Sequence, residues 1–432
     1  MRVSTRRWDG DEPAGLAREL RSAVPEPEGV VAAVASTIAA VRDGGDQALR
    51  ELGERFDGVS AETLELDAGV LADAAERIPP ELRDALERAA ANIEIVAHSQ
   101  IGPGPAPPSL PDGQTISIAE IPVGTAAIYA PGGRAPYPSS VLMGVVPAVA
   151  AGVERVVVAS PPQNGGRPAD AVLAAAHIAG ASAAYAIGGA QAIAALAYGT
   201  ESIWPVDVIA GPGSPWVQEA KLQVSRVVGI DGYAGPSELM VICDSGANVP
   251  WIALDLCAQA EHGEDGMLIV ASTDADVLSR IEAAIGELVP GRGSVADARL
   301  ELVEVPDLDA AASLANAVAP EHLQVDCAEA AEFAARIRTA GCVFVGAFGA
   351  TAFGDYAAGS NHVLPTGGAG RFTGPLNPGT FRRRIARVEL DAGSTARLSA
   401  TVDEIARSEG FPVHGESALA RGDASGPAEP AS

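Results

Sequence analysis

Between residues 13 and 55, and again over 80–98, apolar positions recur every three to four residues beside charged faces, which predicts a helical entry to the chain. The turn-like FDGVS closes the first stretch. After a Pro/Gly-rich segment at 102–113 the period shortens, and ISIAEIPVGTAAIYAP reads as a β-like run leading into glycines. Strand and helix then alternate: helix 140–151, strand ERVVVAS, helix 169–179, strand AYAIGG, helix 190–198, strand VDVIAGPG and the amphipathic WVQEAKLQVSRVV. A second alternating set follows with strand LMVICD, helix 249–260, strand MLIVAS, helix 275–287, strand RLELVEV, helix 308–318 and strand CVFVG. Such alternation is the signature of parallel α/β layers. From Phe381 onward the chain reads as helix-forming again, and the closing RGDASGPAEPAS has the composition of a disordered tail. No repeat of solenoid period is evident.

The fold class expected is therefore α/β: two Rossmann-like parallel-sheet domains, one inserted in the other, with a helical N-terminal segment and a C-terminal tail. The boundaries expected are a helical extension over 1–24, a discontinuous domain of 25–124 plus 237–378 carrying the chemical motifs, a nucleotide-binding-like domain over 125–236, a helical tail over 379–420, and disorder over 421–432.

Composition narrows the partners. A chain of 432 residues exceeds what one hydrophobic core serves, so two domains are the natural division. Its net charge of −27 repels a phosphate backbone and anionic lipid, so nucleic acid and membrane are poor partners. Cys243, Cys257, Cys327 and Cys342 are irregularly spaced, with no C-x-x-C pair, and the charged start lacks a secretory apolar segment; a reduced cytoplasm is expected. Residues 171–199 carry no Asp, Glu, Lys or Arg, yet their Ala, Gly, Ser and Gln make membrane insertion weakly driven. Lys221 is the sole lysine among the basic residues, an arginine bias to which no physical role attaches at this level.

Four of the six histidines sit in short polar motifs; His98 and His177 fall in helical periodic segments and read as structural. In LCAQAEHGEDG, Gln259 and His262 lie three apart on an expected helix, so both would project from one face and could share a metal ion. Asp355 in GDYAAGSNHVLPT and His414 in EGFPVHGES would complete a mixed nitrogen and oxygen set suited to zinc. Spacing alone leaves solvated polar loops as an equal alternative. The dipeptide Glu321-His322 places an acid and an imidazole at a helix–strand junction, suited to proton transfer or, more blandly, to a histidine closing a helix. Glycine-rich turns at YAPGGRAPYPSS, AIGGAQAIAAL and IAGPGSPWVQEAK each precede a helix and offer backbone N–H groups to a phosphate, though none matches G-x-G-x-x-G and all could be tight connections.

Taken in order, YAPGG, GGAQAIAALAYGT, GPG, AGPSE, QAEHG, EHL and GDYAAGSNHVLPT resemble the motifs of the histidinol dehydrogenase family, over residues from about 10 to 420. The resemblance implies a zinc- and NAD-dependent oxidation of histidinol to histidine through the aldehyde. It implies Gln259, His262, Asp355 and His414 as zinc ligands and Glu321 and His322 as the acid and base pair. Ser237 and Glu409 match substrate contacts, Tyr129 and Gln191 match nucleotide contacts, and His362 looks like a further polar group of the same pocket. His414 and Glu409 would come from a partner subunit's tail, implying an intertwined homodimer. Two departures stand out: Ser214 follows GPG where the family usually has Asn, which weakens the third nucleotide contact, and LNPGTFRRR, 376–384, differs before the tail. A relative acting on another hydroxy compound, such as a sulfonated propanediol, is one rival; a zinc hydrolase and a noncatalytic acidic binding protein are others.

Overall fold

A computed structural model describes the chain except residues 23–28, 60, 62, 103, 105, 134, 164, 296 and 424–432. The chain opens with β1 (Arg2–Arg7), a strand the hydrophobic pattern did not single out, and α1 (Pro13–Ser22). Next come α2 (Val30–Asp57), β2 (Glu65–Asp67), α3 (Ala68–Arg77), α4 (Pro80–Ser99) and β3 (Thr115–Pro122). One alternating run comprises β4 (Thr125–Tyr129), α5 (Pro138–Ala150), β5 (Arg155–Ser160), α6 (Asp170–Ala179), β6 (Ala183–Ala186), α7 (Gly189–Tyr198), β7 (Val208–Ala210), α8 (Pro215–Val224) and β8 (Gly229–Ile230). The other comprises β9 (Glu238–Cys243), α9 (Val249–Ala260), β10 (Met267–Ser272), α10 (Ala275–Leu288), β11 (Arg299–Glu304), α11 (Leu308–Val318), β12 (His322–Asp326), α12 (Ala330–Ala334), β13 (Cys342–Val345) and α13 (Thr351–Tyr356). Last come β14 (Arg382–Glu389), α14 (Ala392–Ser408) and α15 (Pro412–Gly422).

The expected Rossmann-like pair of sheets is present. In one, the order is β2-β6-β5-β4-β7-β8, parallel except for β2 against β6; in the other, β1-β11-β10-β9-β12-β13, parallel throughout. In both, the first strand of the alternating run lies in the middle and the chain later crosses to its other side. That makes a topological switch point between β4 and β7, and another between β9 and β12.

Helices cover both faces of each sheet, which is why VVVAS, LMVIC and MLIVAS are continuous apolar runs. Along β4, Ala126 and Ile128 pack with α3 to α6 while Ala127 and Tyr129 pack with α2, α7 and α8, the period of two that a strand imposes. Over β9, Leu239 and Val241 join α9 and α10, and Met240 and Ile242 join α1 and α11. The uncharged 171–199 run is α6, β6 and α7 in this buried layer. Among the described residues no helix is long and apolar enough to cross a membrane.

Two expectations need correction. The run ISIAEIPVGTAAIYAP is not one strand but two, β3 and β4, in different sheets. The segment from Phe381 does not begin as helix: β14 pairs antiparallel with β3, from Arg382 opposite Pro122 to Glu389 opposite Thr115. With four arginines in eight residues and most of the strand exposed, β14 has no apolar face to announce its period. The disorder expected at 421–432 falls on helix α15 up to Gly422, and residues 424–432 lie outside the described residues.

The chain separates into two compact units, Met1–Gln100 with Val123–Phe381, and Ile101–Pro122 with the chain from Arg382 onward. The first carries both six-stranded sheets. The second holds the β3–β14 ribbon with α14 and α15, where Asp391 caps α14 by accepting from the Ser394 N–H at 2.6 Å and Arg397 Nη2 donates to the Asp112 carbonyl at 2.7 Å.

Candidate active site

In the first unit the structure brings Glu321, His322, Ser237, Gln259 and Asp355 to the amino-terminal ends of β9 and β12. Helix α11 ends at Ala319, whose φ of +48° is unusual for a residue with a side chain, and Pro320 then turns the chain into β12. This places Glu321 beside the start of β9, where its Oε2 accepts from Ser237 Oγ at 2.6 Å and from the Glu238 N–H at 2.8 Å. The Gln259 amide nitrogen, in the last turn of α9, donates in turn to Ser237 Oγ.

His322 is 3% exposed. Its Nδ1 lies 3.0 Å from the Glu238 carbonyl and 3.4 Å from Glu321 Oε2, so Nδ1 carries the proton; Nε2 lies 3.5 Å from Asp355 Oδ1. Burial works against charge on this ring, but the carboxylates of Glu321 and Asp355 outweigh it and push its pKa up to about 10. Burial also pushes the Asp355 carboxyl up; the His322 contact and the charges of His322, His362 and His262 overcome it, leaving Asp355 below the usual range. Asp355 therefore sits among three imidazoles. His362 reaches the Asp355 carbonyl with Nδ1 at 2.8 Å and Ser140 Oγ with Nε2 at 3.2 Å, and burial lowers its pKa against the raising effect of the Asp355 charge.

Helix α9 ends at Ala260, and His262 lies in the turn after it, its N–H donating to the Gln259 carbonyl at 3.2 Å, so the helix expected to carry both stops short of His262. Gly263, with a φ of +140°, is what ends the helical path. His262 is exposed and Gln259 buried.

At the other sheet the candidate nucleotide residues gather at the carboxyl ends of the strands. Tyr129 ends β4, its hydroxyl accepting from the Gly189 N–H at 3.1 Å; burial and then the Asp57 charge, against that hydrogen bond, push its pKa up to about 12. Gln191, in the first turn of α7, points its amide nitrogen at Asp57 Oδ2, 3.4 Å away. Tyr129 flanks the β4–β7 switch point, where open α/β sheets bind ligands, and Gln191 stands at the carboxyl end of β6. Ser214 is the exposed residue before α8 and caps nothing with its side chain.

The sequence reading missed what holds the GPG turn. Lys221 is fully buried and ion-paired with Asp231; its Nζ donates to the Gly211 carbonyl at 3.0 Å while the Gly211 N–H donates to Asp231 Oδ2 at 2.7 Å. At Gly211, φ is +120° and a Cβ would strike the Tyr129 carbonyl, so the glycine lets the turn lie against β4. In the second sheet, a cleft at the carboxyl ends of β9 and β10 is lined by Asp244, Asp274 and Asp276, whose charge would repel a pyrophosphate.

Glu409 and His414 belong to the second unit. Glu409 closes α14, and His414 lies in the first turns of α15 with its ring 5.6 Å from that of Phe411. His98 and His177 stand exposed on α4 and α6. Among the described residues no three His, Cys, Asp or Glu side chains form a preassembled cation cage. The donor chemistry nevertheless fits zinc: a carboxylate amid imidazoles, with the buried Gln259 amide engaged on Ser237, is a nitrogen and oxygen set of the right kind.

A family model described as histidinol dehydrogenase matches residues 21–422. The chain is similar to histidinol dehydrogenase of Cupriavidus pinatubonensis, 40% identical with 96% of this chain and 97% of that one covered. It is similar also to that of Pseudomonas aeruginosa, 43% identical with 89% of each covered. The crystal structure of histidinol dehydrogenase from Elizabethkingia anophelis superposes with a TM-score of 0.90 at 29% identity, covering 98% of both chains.

Proposed function

The chain belongs to the histidinol dehydrogenase family, and from that premise we propose that it oxidises histidinol through the aldehyde to histidine in two NAD-linked steps, as a cytoplasmic, zinc-dependent homodimer. The observation that supports this reading most is the coupled acid and base: Glu321 and His322, 3.4 Å apart, buried, with Ser237 on one side and Asp355 on the other.

Gln259, His262 and Asp355 would hold the metal, completed by His414 of the partner subunit, with Glu409 of the partner subunit beside the substrate. Residues 125–236 would serve the nucleotide through Tyr129 and Gln191, and with Ser214 at the turn; 25–124 with 237–378 would carry the chemistry. When bound, zinc supplies a positive centre that orients the substrate's nitrogens, and NAD supplies the hydride acceptor. His322 takes the alcohol proton at Nε2, since Nδ1 is engaged by the Glu238 carbonyl. That role requires a neutral ring, and an Asp355 engaged by a cation no longer offers His322 its charge. Glu321 Oε2 is tied by two donors, so removing a proton from the water that attacks the aldehyde falls to Oε1.

Purified, zinc-loaded protein given histidinol and NAD is expected to form about two NADH per histidinol, as a four-electron oxidation demands. Turnover of only another alcohol, such as a sulfonated propanediol, or hydrolysis without NADH, would overturn the assignment.

A further inference from the structure

We propose that Glu238, locked in place by Arg21, is the positioning residue that sets the geometry of the Glu321–His322 pair. The inference rests on the reading of that pair as the proton-transfer groups and adds to it a residue that touches neither substrate nor cofactor.

Glu238 is 4% exposed and its polar groups are divided between the two catalytic residues. Its N–H donates to Glu321 Oε2 at 2.8 Å, its Oε2 accepts from the Glu321 N–H at 3.2 Å, and its carbonyl faces His322 Nδ1 at 3.0 Å. One residue thus holds the acid at both its backbone and its carboxylate while fixing the tautomer of the base. The parallel ladder alone keeps β12 beside β9, with His322 opposite Leu239. Of the Glu321 backbone, the Cys342 N–H at β13 holds the carbonyl, and the Glu238 carboxylate holds the N–H, which lies before the strand.

Arg21 supplies the second half of the device. From α1 it donates to Glu238 Oε1 at 2.7 Å and Oε2 at 3.3 Å, and the same guanidinium donates to the carbonyls of Val318 and of Ala319, the latter at 3.4 Å. Those carbonyls close α11 at the left-handed Ala319, two residues before Glu321. Arg21 therefore clamps the end of α11 to the start of β9, and the turn from α11 into β12, which presents Glu321, begins at that clamp. The Gly367 N–H also donates to Glu238 Oε1, at 2.9 Å. Every hydrogen-bond partner of this carboxylate is a donor, so an amide in its place would set its NH2 against N–H groups.

The test is a double-mutant cycle in the full-length, zinc-loaded enzyme, reading single-turnover oxidation of the aldehyde and steady-state NADH formation from histidinol. Glu238→Gln is expected to lower kcat by about tenfold or more, with KM for histidinol within about twofold and zinc content and circular dichroism unchanged. In a Glu321→Gln background, the same substitution is expected to cost the aldehyde step less than about twofold more, because the group it positions is gone. Equal loss in both backgrounds, or a loss of KM alone, overturns the proposal, since a general structural defect is additive. If Glu238→Gln does not fold, Arg21→Lys keeps the charge, loses the fork, and is expected to follow the same non-additive pattern at smaller size; additivity there overturns the proposal equally. If Glu321→Gln by itself leaves aldehyde oxidation intact, it is the reading of Glu321 that fails, and the cycle shows this separately.

Discussion

Beside the proton-transfer pair stands a thiol that sequence spacing did not bring into view. Cys342 begins β13 in register with His322, and its N–H donates to the Glu321 carbonyl at 2.9 Å. Burial, with the Asp355 charge adding to it, pushes this thiol up to about 11, so at pH 8 only about one molecule in a thousand carries a thiolate. Burial raises the Cys257 thiol as well. Cys342→Ser and Cys257→Ser are each expected to keep at least about half of kcat, and a loss beyond about a hundredfold, with an aldehyde adduct seen in the intact mass of the wild type, would demand a covalent route. Glu321 and His322 were legible because they are adjacent in the chain and chemically unusual together. Glu238, Arg21, Asp57 and Cys342 were not, since an isolated carboxylate, guanidinium or thiol carries no mark of which distant backbone it will meet.

At the scale of elements, most helices and strands were readable because an amphipathic or fully buried segment announces its period. The exceptions are instructive. β14 is an exposed ribbon strand rich in arginine, and α2 contains a break that its helical period conceals. Inside α2, Gly45 adopts φ +55° and ψ −139°, and a Cβ there would meet the Glu201 carboxylate, which accepts from the Asp46 N–H at 2.7 Å. Asp46 binds Thr200 Oγ1 at 2.6 Å and also the Ser202 hydroxyl, tying the break to the loop after α7. Burial pushes the Asp46 carboxyl up, but these hydrogen bonds and the charge of Arg50 hold it below the ordinary 3.8. A depressed folded pKa gives stability that is present above the unfolded value and lost as pH falls through the folded one. Wild type is therefore expected to exceed Asp46→Asn by about 1–2 kcal/mol at pH 7, with the gap closing below about pH 4. Urea unfolding of both proteins at pH 7 and pH 3 measures it; a gap that widens with acid would contradict the assignment.

Over the whole molecule, the two sheets share one strand order, but the candidate residues stand at opposite strand ends: Tyr129 at the carboxyl end of β4, Glu321 and His322 at the amino-terminal end of β12. The proposed dimer can be examined at this scale. Co-expressed His414→Asn and Glu321→Gln subunits, each inactive alone, are expected to recover about a quarter of wild-type activity, because half of the dimers pair the two variants and each such dimer has one intact site. Recovery of none would mean that each tail serves its own subunit. Periodicity is a local property, and it determined the kind of most elements and the layered α/β class, while the charge of −27 made nucleic acid and anionic lipid poor partners. Which residues meet is a different matter: Glu238 and Glu321 are 83 positions apart, and only the hydrogen-bonded register of parallel strands, set by burial on both faces of the sheet, decided that they share a site.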